Sequence, residues 1–541
     1  MLRRFILLIA TAAALTAGPA MAAGSVPVCA GTCFAAPAGS GALFVFSGHG
    51  WGHGVGMSQY GAYGYALHGA TFQQILAHYY PGTTLGPAPS TQFRVLLADR
   101  KKQMTLSSTV SFAVKDGVGR TLTLPAGAVT FGTGLRVAGQ SLTAPLTFLP
   151  GKGGPLTLKR PYRGKIQVDV VDGKLRAVNI VGLEPYLQGV VPSEMPSAWS
   201  AQALEAQAVA ARSYALATRK IGAPYDAYAD SRSQVYLGLS NESLATTAAV
   251  TATKGQVLFY GGSVATTFFS STSGGKTESS LDWTGTSLPY LVSVPDPYDD
   301  ISPYHNWGPV PVTAQAIVKA LKLAGPIVDA TTTPNPSGRV GKLSFLTPLT
   351  SLQVAATQLR GAIGLRSTWF TLGVMSLAPP APNPPLPYGS QVTLASTVRG
   401  VTGATLEQRT SGGTWQTVGP VAPGAAKLTQ KPAITTDYRL ATSAAAAAYV
   451  RIRVAPLVTV TSFTTALVTG TVQPILPATP VEIQQQNADL TTWTVVATGT
   501  VAADGSFSVP VQLVAGGTYR VSVAAGAGYA PAIGTPQVVV R

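Results

Sequence analysis

Cysteine is nearly absent from this chain. The only two cysteines in 541 residues, Cys29 and Cys33, both lie close to the amino terminus. A structural zinc site needs four ligands, and no further candidates lie near this pair, so a cysteine zinc site is excluded. In an oxidising compartment the two could form a small local disulfide, and whether they pair stays open.

Charged residues are also scarce, and acidic ones most of all. Only 11% of the residues are charged, with 21 Asp and Glu against 37 Lys and Arg, while 46% are hydrophobic. Such a hydrophobic fraction excludes a disordered chain. The net charge of +16 suits an acidic polymer or an anionic surface as partner. Dense basic runs with interleaved aromatics are lacking, so we expect no nucleic-acid partner.

Long apolar runs are missing except at the start, "MLRRFILLIATAAALTAGPAMAAG". Two arginines precede an apolar run of about 13 residues and a small-x-small site, as in a secretory signal peptide. The alternative is an uncleaved anchor, but a span needs about 20 residues. We therefore predict a signal peptide over residues 1–23, secretion, and no stable membrane span after cleavage.

Proline and strand patterns divide the rest of the chain. "APPAPNPPLP", residues 378–387, predicts an extended linker. Beyond it, residues 388–455 and 456–541 each predict short alternating strands, typical of a β-sandwich of immunoglobulin-like type. Residues 41–377 predict strands around an alanine-rich buried helix over 197–220, with a shorter helix near 313–323. The fold class expected is α+β: a β-rich first domain with a buried alanine-rich helix, followed by two small all-β modules.

The stretch "GHGWGHGVGMSQYG", from Gly48 to Gly61, raises the question of a metal site. Alternating glycines predict an extended strand with a glycine face, which could accept a packed backbone or a flat sugar ring. In a strand, His49 and His53 are separated by about 13 Å, too far to share one zinc ion, so we expect no metal and no cofactor. Ser58 is then predicted to cap a helix, and Thr71 with Gln74 to form a capping box for the next.

Glu194 is the strongest candidate for acid–base chemistry. It lies between Pro192 and Pro196, predicted as a rigid loop before the alanine-rich helix. Apolar surroundings would raise the pKa of its carboxyl group and favour a general acid, whereas a helix amino terminus would lower that pKa. The alternative role is a helix-start residue that complements the dipole.

Two further positions allow a structural or a functional interpretation. Arg212 lies two helical turns after Glu205, so a structural ion pair competes with contact to a ligand. Ser271 and Ser273, in "FFSSTSGGKTE", belong either to a polar hairpin or to a sugar-binding surface.

Together these segments resemble the SpoIID/LytB family of sporulation-related, peptidoglycan-active proteins. The resemblance rests on "LEPYLQGVVPSEMPSAWSAQALEAQAVAARSYALA", "SRSQVYLG", "FFSSTSGGKTE", "LPYLVSVPDPYD", "GLRSTWF" and "GHGWGHGVGMSQYGAYGYALHGATFQQILAHYYPGT". In better-known members the "GHGVGMSQYGA" segment closes the domain, whereas here it comes first. Such an order predicts a circular permutation, with the first strand and helices beside the strand ending near Phe370.

The resemblance implies lytic transglycosylase activity on peptidoglycan glycan strands, cleaving after N-acetylmuramic acid to leave 1,6-anhydro ends. It places the catalytic glutamate on Glu194 and the third motif on His53, Ser58 and Gln59. We expect those three to line the cleft with Arg212, Gln234, Ser271 and Ser273. Some relatives carry a His and Cys metal set after the helix, but "YDAYADSRSQVY" has neither residue type. The alternative functions are a non-catalytic enhancer of a cell-wall amidase and a wall-binding protein.

Overall fold

The computed structural model describes residues 41–347, 349–524, 526 and 528–539. The predicted signal peptide and the pair Cys29 and Cys33 lie outside this part of the chain. The described residues are 42% strand and 17% helix, which confirms a β-rich α+β protein. None of their helices is both long and apolar enough to cross a membrane.

Eight α-helices occur in the described residues, and most lie in the first two thirds of the chain. They are α1 (Gln59–Leu67), α2 (Phe72–Tyr79), α3 (Leu183–Glu194), α4 (Ala201–Ala217), α5 (Leu244–Ala252), α6 (Ser280–Thr284), α7 (Ala314–Leu321) and α8 (Ala356–Ile363). Ser58 caps α1, and Thr71 and Gln74 form the predicted capping box of α2. These two helix starts are therefore confirmed.

The strands up to the alanine-rich helix are short. They are β1 (Leu43–His49), β2 (Met57–Ser58), β3 (Thr84–Pro87), β4 (Gln92–Lys101), β5 (Gln103–Ser108), β6 (Phe112–Lys115), β7 (Thr121–Leu124), β8 (Gly127–Gly132), β9 (Arg136–Val137), β10 (Gln140–Ser141), β11 (Leu146–Leu149), β12 (Leu156–Leu158), β13 (Arg160–Tyr162), β14 (Lys165–Val171) and β15 (Lys174–Gly182).

Strands of the middle part follow the alanine-rich helix. They are β16 (Ala227–Tyr228), β17 (Gln256–Tyr260), β18 (Ser263–Val264), β19 (Phe269–Ser270), β20 (Asn306–Thr313), β21 (Asp329–Pro334), β22 (Val340–Leu346), β23 (Ser351–Ala355) and β24 (Phe370–Ala378).

The remaining strands lie in the last third of the chain, from Leu386 onward. They are β25 (Leu386–Pro387), β26 (Val392–Arg399), β27 (Thr405–Thr410), β28 (Gln416–Pro420), β29 (Gly424–Gln430), β30 (Thr436–Ala441), β31 (Val450–Ile452), β32 (Val454–Ala455), β33 (Leu457–Phe463), β34 (Leu467–Gln473), β35 (Pro480–Gln486), β36 (Trp493–Thr500), β37 (Ser506–Pro510), β38 (Thr518–Val523), β39 (Ala532–Ile533) and β40 (Gln537–Val538).

The alanine-rich helix α4 is buried on nearly all sides, as its composition predicts. Ala208 and Ala211 pack with the core of the seven-stranded sheet β16-β4-β15-β14-β11-β6-β7. Ala206 and Ala210 face the other way, into a core shared with α1 and α2. Small side chains let α4 lie between these two layers. The helices α1 and α2 therefore pack on α4, not beside the strand near Phe370.

The glycine-rich stretch is extended only as far as His49, so the prediction of a strand through Gly56 is wrong. Gly50, Gly52, Gly54 and Gly56 all have positive φ, between 71° and 123°, a region that side chains rarely adopt. A Cβ on Gly56 would lie 2.1 Å from the Phe268 carbonyl oxygen. Of the two expected uses of the glycine face, the structure shows the packed backbone.

Strand β1 joins the amino-terminal segment to the tail. It pairs antiparallel with β24, which begins at Phe370, within the sheet β20-β1-β24-β26-β29. Phe44 and Phe46 face one core, which includes residues of α7 and α8. On its opposite side, Leu43 and Val45 face a second core, shared with the sheet β28-β27-β30-β31. The sheet thus continues across the proline-rich linker into residues 388–455.

Candidate functional site around Glu194

Glu194 is the last residue of α3, so the prediction of a loop at this position is wrong. Pro192 lies inside the helix and lacks the N–H that would donate to the Gln188 carbonyl, yet the helix continues for two more residues. The Met195 N–H donates to the Val191 carbonyl oxygen at 3.0 Å and closes the helix. Glu194 therefore projects from the carboxyl end of a helix.

Burial decides the electrostatics of Glu194. Desolvation raises the pKa of its carboxyl group to about 7, against the opposing effect of hydrogen bonds from the Val235 N–H and the Gln59 side chain. The Val235 N–H lies 3.2 Å from Oε1. The negative end of the α3 dipole also disfavours the ionised form. Of the two competing effects expected, the one that raises the pKa prevails.

Gln59 reaches Glu194 because it is the first residue of α1. Its amide Nε2 also donates to Oε1 of Gln207 on α4, over a long 3.5 Å. Gln234 comes close through its neighbour Val235, but its own side chain is buried. It accepts from the Tyr186 hydroxyl at 3.2 Å and donates to the Ala211 carbonyl at 3.2 Å. The structure thus brings α1, α4 and the segment before Tyr236 together at Glu194.

His53 lies in an aromatic environment near two arginines. Its ring stacks on Trp283 at 4.5 Å, and its Nδ1 accepts from the Val55 N–H at 3.0 Å. Burial, together with Arg360 and Arg339, lowers the pKa of His53 to about 3. The imidazole is therefore neutral at physiological pH, and its position favours packing over proton transfer.

Ser58 and Ser273 meet at a pair of buried carboxylates. Ser58 Oγ donates to Asp299 Oδ1 at 2.5 Å, and Ser273 Oγ donates to Asp296 Oδ2 at 2.7 Å. The Tyr79 hydroxyl donates to the other Asp296 oxygen at 2.8 Å. Burial and the charge of Asp299 raise the pKa of Asp296 to about 7. These contacts join α1 and α2 to the segments 271–275 and 296–299.

Sequence reasoning assigned no role to this acidic pair. The signal was available in "VPDPYDD", residues 294–300, because three aspartates fall within five positions of a chain poor in acid. Ser271 was predicted, and it lies at the same junction. Its carbonyl oxygen accepts from the Tyr60 N–H at 3.0 Å, next to Gln59, and its side chain is partly exposed.

Arg212 is a structural residue in this fold. Its Nη2 and Nε donate to the Glu184 carboxylate at 2.7 and 2.9 Å, and its Nη1 donates to the Gln256 carbonyl. Its side chain has no exposed surface with which to touch a ligand. The predicted pairing with Glu205 is wrong, because Glu205 instead accepts from the Gln202 amide at 2.9 Å.

Three aromatic rings lie close to the end of α3 and were not predicted. Trp199 stacks on Tyr63 with 4.7 Å between ring centres and an interplanar angle of 4°. Tyr60 contacts the same indole edge-on at 4.8 Å. All three rings are partly exposed. Their position beside Gln59 offers flat apolar surfaces near the Glu194 carboxyl group.

Metal ligands are not grouped in the part of the chain that the structure describes. Across residues 41–539, apart from the few undescribed positions, no three His, Cys, Asp or Glu side chains are arranged to hold a metal ion. The His49 ring instead lies 5.2 Å from Trp369 and 6.3 Å from His305.

Comparison with known proteins assigns a family to this region. The family model described as stage II sporulation protein, SpoIID, matches residues 171–260. The amidase enhancer of Bacillus subtilis (strain 168) is 42% identical over 140 residues, which cover 26% of this chain and 19% of that protein. Stage II sporulation protein D of the same organism is 31% identical over 230 residues, which cover 39% of this chain and 62% of that protein.

The chain therefore spans less than two thirds of the length of these relatives. Among solved structures, the fibronectin(III)-like modules of Clostridium thermocellum CbhA match 30% of this chain and 91% of theirs. Their sequence identity is 16% and the TM-score is 0.13, which is too low to support a conclusion. The match over residues 171–260 contains Glu194, Arg212 and Gln234. The family match and the relatives thus show that this chain contains a region similar to the SpoIID family.

Proposed function

We propose that this protein is an exported lytic transglycosylase that cleaves peptidoglycan glycan strands after N-acetylmuramic acid. Glu194 protonates the oxygen of the scissile glycosidic bond, and that bond breaks as the sugar's own 6-hydroxyl attacks the anomeric carbon. The ionised Glu194 takes up the proton of that hydroxyl. The products are a 1,6-anhydro end and a new free hydroxyl on the neighbouring sugar.

The observation that carries this proposal is the environment of Glu194. A pKa of about 7 leaves comparable amounts of acid and carboxylate near neutral pH, so one residue can donate and then accept a proton. Its hydrogen bonds come from the Val235 N–H and the Gln59 amide, not from a second carboxylate. An internal nucleophile makes a second catalytic acid unnecessary, whereas ordinary glycosidases use two.

Substrate binding is proposed for the surfaces next to Glu194. The rings of Trp199, Tyr60 and Tyr63 offer apolar faces of the kind that stack on sugar rings. The Ser271 hydroxyl and the Gln59 amide supply hydrogen bonds close by. A further part of the proposal is that residues 388–455 and 456–541 are immunoglobulin-like modules, and that the protein works in the cell wall or envelope.

The second candidate function is a non-catalytic enhancer of a cell-wall amidase. It is favoured by one observation, the 42% identity to a protein named amidase enhancer. In that case the surface around Glu194 would bind glycan or the amidase without cleaving a bond.

Product analysis separates the two candidates. Purified protein is incubated with glycan strands, both peptide-bearing and peptide-stripped, and the products are analysed by mass spectrometry. We expect anhydro-ended fragments with the wild type and none with Glu194→Gln. Glu205→Gln is the matched control, since Glu205 is a partly buried glutamate of α4 whose pKa is also raised by burial.

Two results would overturn the transglycosylase proposal. One is the absence of anhydro ends with both substrates, in which case stimulation of an added amidase would support the enhancer. The other is the appearance of reducing ends, which would indicate water as the nucleophile.

A further inference from the structure

The first tail module, residues 388–455, has a sheet face on which charged residues are concentrated. Along the sheet β28-β27-β30-β31 one set of residues forms the hydrophobic core, and the alternate residues lie on the opposite face, where Asp437 and Arg439 are buried. Glu407 and Arg409 of β27 lie opposite Arg439 and Asp437 of β30, and Asp437 lies opposite Arg451 of β31. Three arginines and two carboxylates thus share one face.

Two aromatic rings are inserted between these three arginines. The Arg439 guanidinium lies 4.0 Å from the centre of the Trp415 ring, and Arg409 lies 4.5 Å from the same ring. Arg409 also lies 5.1 Å from the Tyr449 ring, and Arg451 lies 5.7 Å from it. The result is a continuous row of alternating cations and rings, here called the arginine–aromatic row.

The carboxylates do not balance the charge of this row. Asp437 accepts from both Arg451, at 2.7 Å, and Arg409, at 3.3 Å, while Glu407 accepts from Arg439 at 2.7 Å. Residues 388–455 as a whole contain seven Lys and Arg against two Asp and Glu. The Arg451 side chain is 51% exposed, so the excess positive charge reaches the surface.

We propose that the arginine–aromatic row binds an acidic polysaccharide that carries carboxylate groups. Flat rings pack against the apolar faces of sugar units, and the guanidinium N–H groups of Arg409 and Arg451 that do not donate to Asp437 can donate to carboxylates of the ligand. The spacing of cations between rings suits a ligand in which charge and sugar ring alternate. A neutral glycan lacks the partner for the arginines, and a polyanion without sugar rings lacks the partner for Trp415 and Tyr449.

The second tail module, residues 456–541, provides a comparison for the arginine–aromatic row. There the Arg520 guanidinium lies 4.0 Å from the centre of the Trp493 ring, the same distance as in the Arg439–Trp415 pair. Among the described residues of this module, only Arg520 contacts the ring, and its Nε donates to the neutral Gln484 at 2.8 Å. Residues 456–541 contain two arginines against three acidic residues. This module therefore has the stacked pair without the row or the excess charge.

The test is calorimetric titration of the full chain with three polymers: polygalacturonate, neutral dextran and poly-glutamate. We expect binding of polygalacturonate that weakens with added salt, and little binding of the other two. Arg451→Gln and Trp415→Leu should each weaken it by about tenfold or more. Trp493→Leu should leave it unchanged, and thermal melts should show that Arg451→Gln stays folded.

Several results would overturn this proposal. Equal binding of poly-glutamate would mean that charge alone is recognised, and equal binding of dextran would mean that the arginines play no part. If Arg451→Gln binds polygalacturonate with unchanged affinity, with or without a lower melting temperature, the arginine–aromatic row does not bind the polymer and serves only to stabilise the module. None of these results depends on whether Glu194 cleaves glycan.

Discussion

Ser58 and Asp299, 241 residues apart in sequence, form a buried hydrogen bond of 2.5 Å. The same Ser58 oxygen accepts from the Gly61 N–H at 3.0 Å and so caps α1, the helix that begins with Gln59. One hydroxyl therefore fixes both the start of that helix and its attachment to the acidic segment. The position of Gln59 against Glu194 depends on it.

Replacing Ser58 by Ala should destabilise the protein by about 2–4 kcal/mol, because it removes a helix cap together with one of the hydrogen bonds to the buried Asp299 carboxylate. Ser243→Ala is the matched control, since Ser243 caps α5 through the Thr246 N–H but touches no buried acid. It should lower the free energy of unfolding by about 1 kcal/mol. Urea denaturation measures both, and equal losses would contradict the role assigned to Asp299.

Replacing Arg212 by Ala should lower the free energy of unfolding by about 3–5 kcal/mol, because the Glu184 carboxylate and two carbonyls lose their partner inside the protein. Arg232→Ala is the comparison, since its ion pair with Asp230 is about half exposed. It should cost about 1 kcal/mol or less. A folded, fully stable Arg212→Ala variant with weakened glycan binding would instead support the ligand role expected from sequence.

Local signals predicted the local features well. The caps of α1 and α2 and the burial of the alanine-rich helix follow from short stretches of sequence. What could not be predicted are contacts between distant segments. Arg212 pairs with Glu184 from another helix. Asp296 and Asp299 accept hydrogen bonds from Tyr79 and Ser58, which lie more than 200 positions earlier in the sequence.

The glycine stretch shows a second limit of sequence reasoning. Alternating glycines suit an extended strand, but they equally suit a backbone with repeated positive φ, as found at Gly50 and Gly54. The choice is made by the neighbouring segment 268–273, which packs where side chains would be. Glu194 was misplaced for a similar reason: proline suggested a loop, yet the last turn of α3 tolerates Pro192.

The stability of the protein should respond to pH through Asp296. Its pKa is raised in the folded state to about 7, from an ordinary value near 4 in the unfolded state. Between these values the folded state binds more protons, so its stability is lost as pH rises. Relative to wild type, Asp296→Asn should therefore gain stability from pH 5 to pH 8, as followed by thermal unfolding. A constant difference across that range would contradict the raised pKa.

Activity should fall as pH rises through about 7, because Glu194 must be protonated to act as general acid. Gln59→Leu removes a hydrogen bond that lowers the pKa of Glu194, so it should move this decline to higher pH. The measurement is the pH profile of anhydro-product formation under substrate saturation. A Gln59→Leu enzyme that is less active but has an unshifted profile would limit Gln59 to substrate binding.

Removing residues 379–541 should destabilise residues 41–378, although the two parts are consecutive in sequence. The apolar side chains of Leu43 and Val45 on β1, with Met375 and Leu377 on β24, share a core with residues 388–455. Truncation after Ala378 exposes them to water, which predicts a lower melting temperature and aggregation. Truncation after Ala455 keeps that core and should leave a protein that is monodisperse in size-exclusion chromatography. Equal melting temperatures for the two truncated chains would show that β1 and β24 do not need the first tail module.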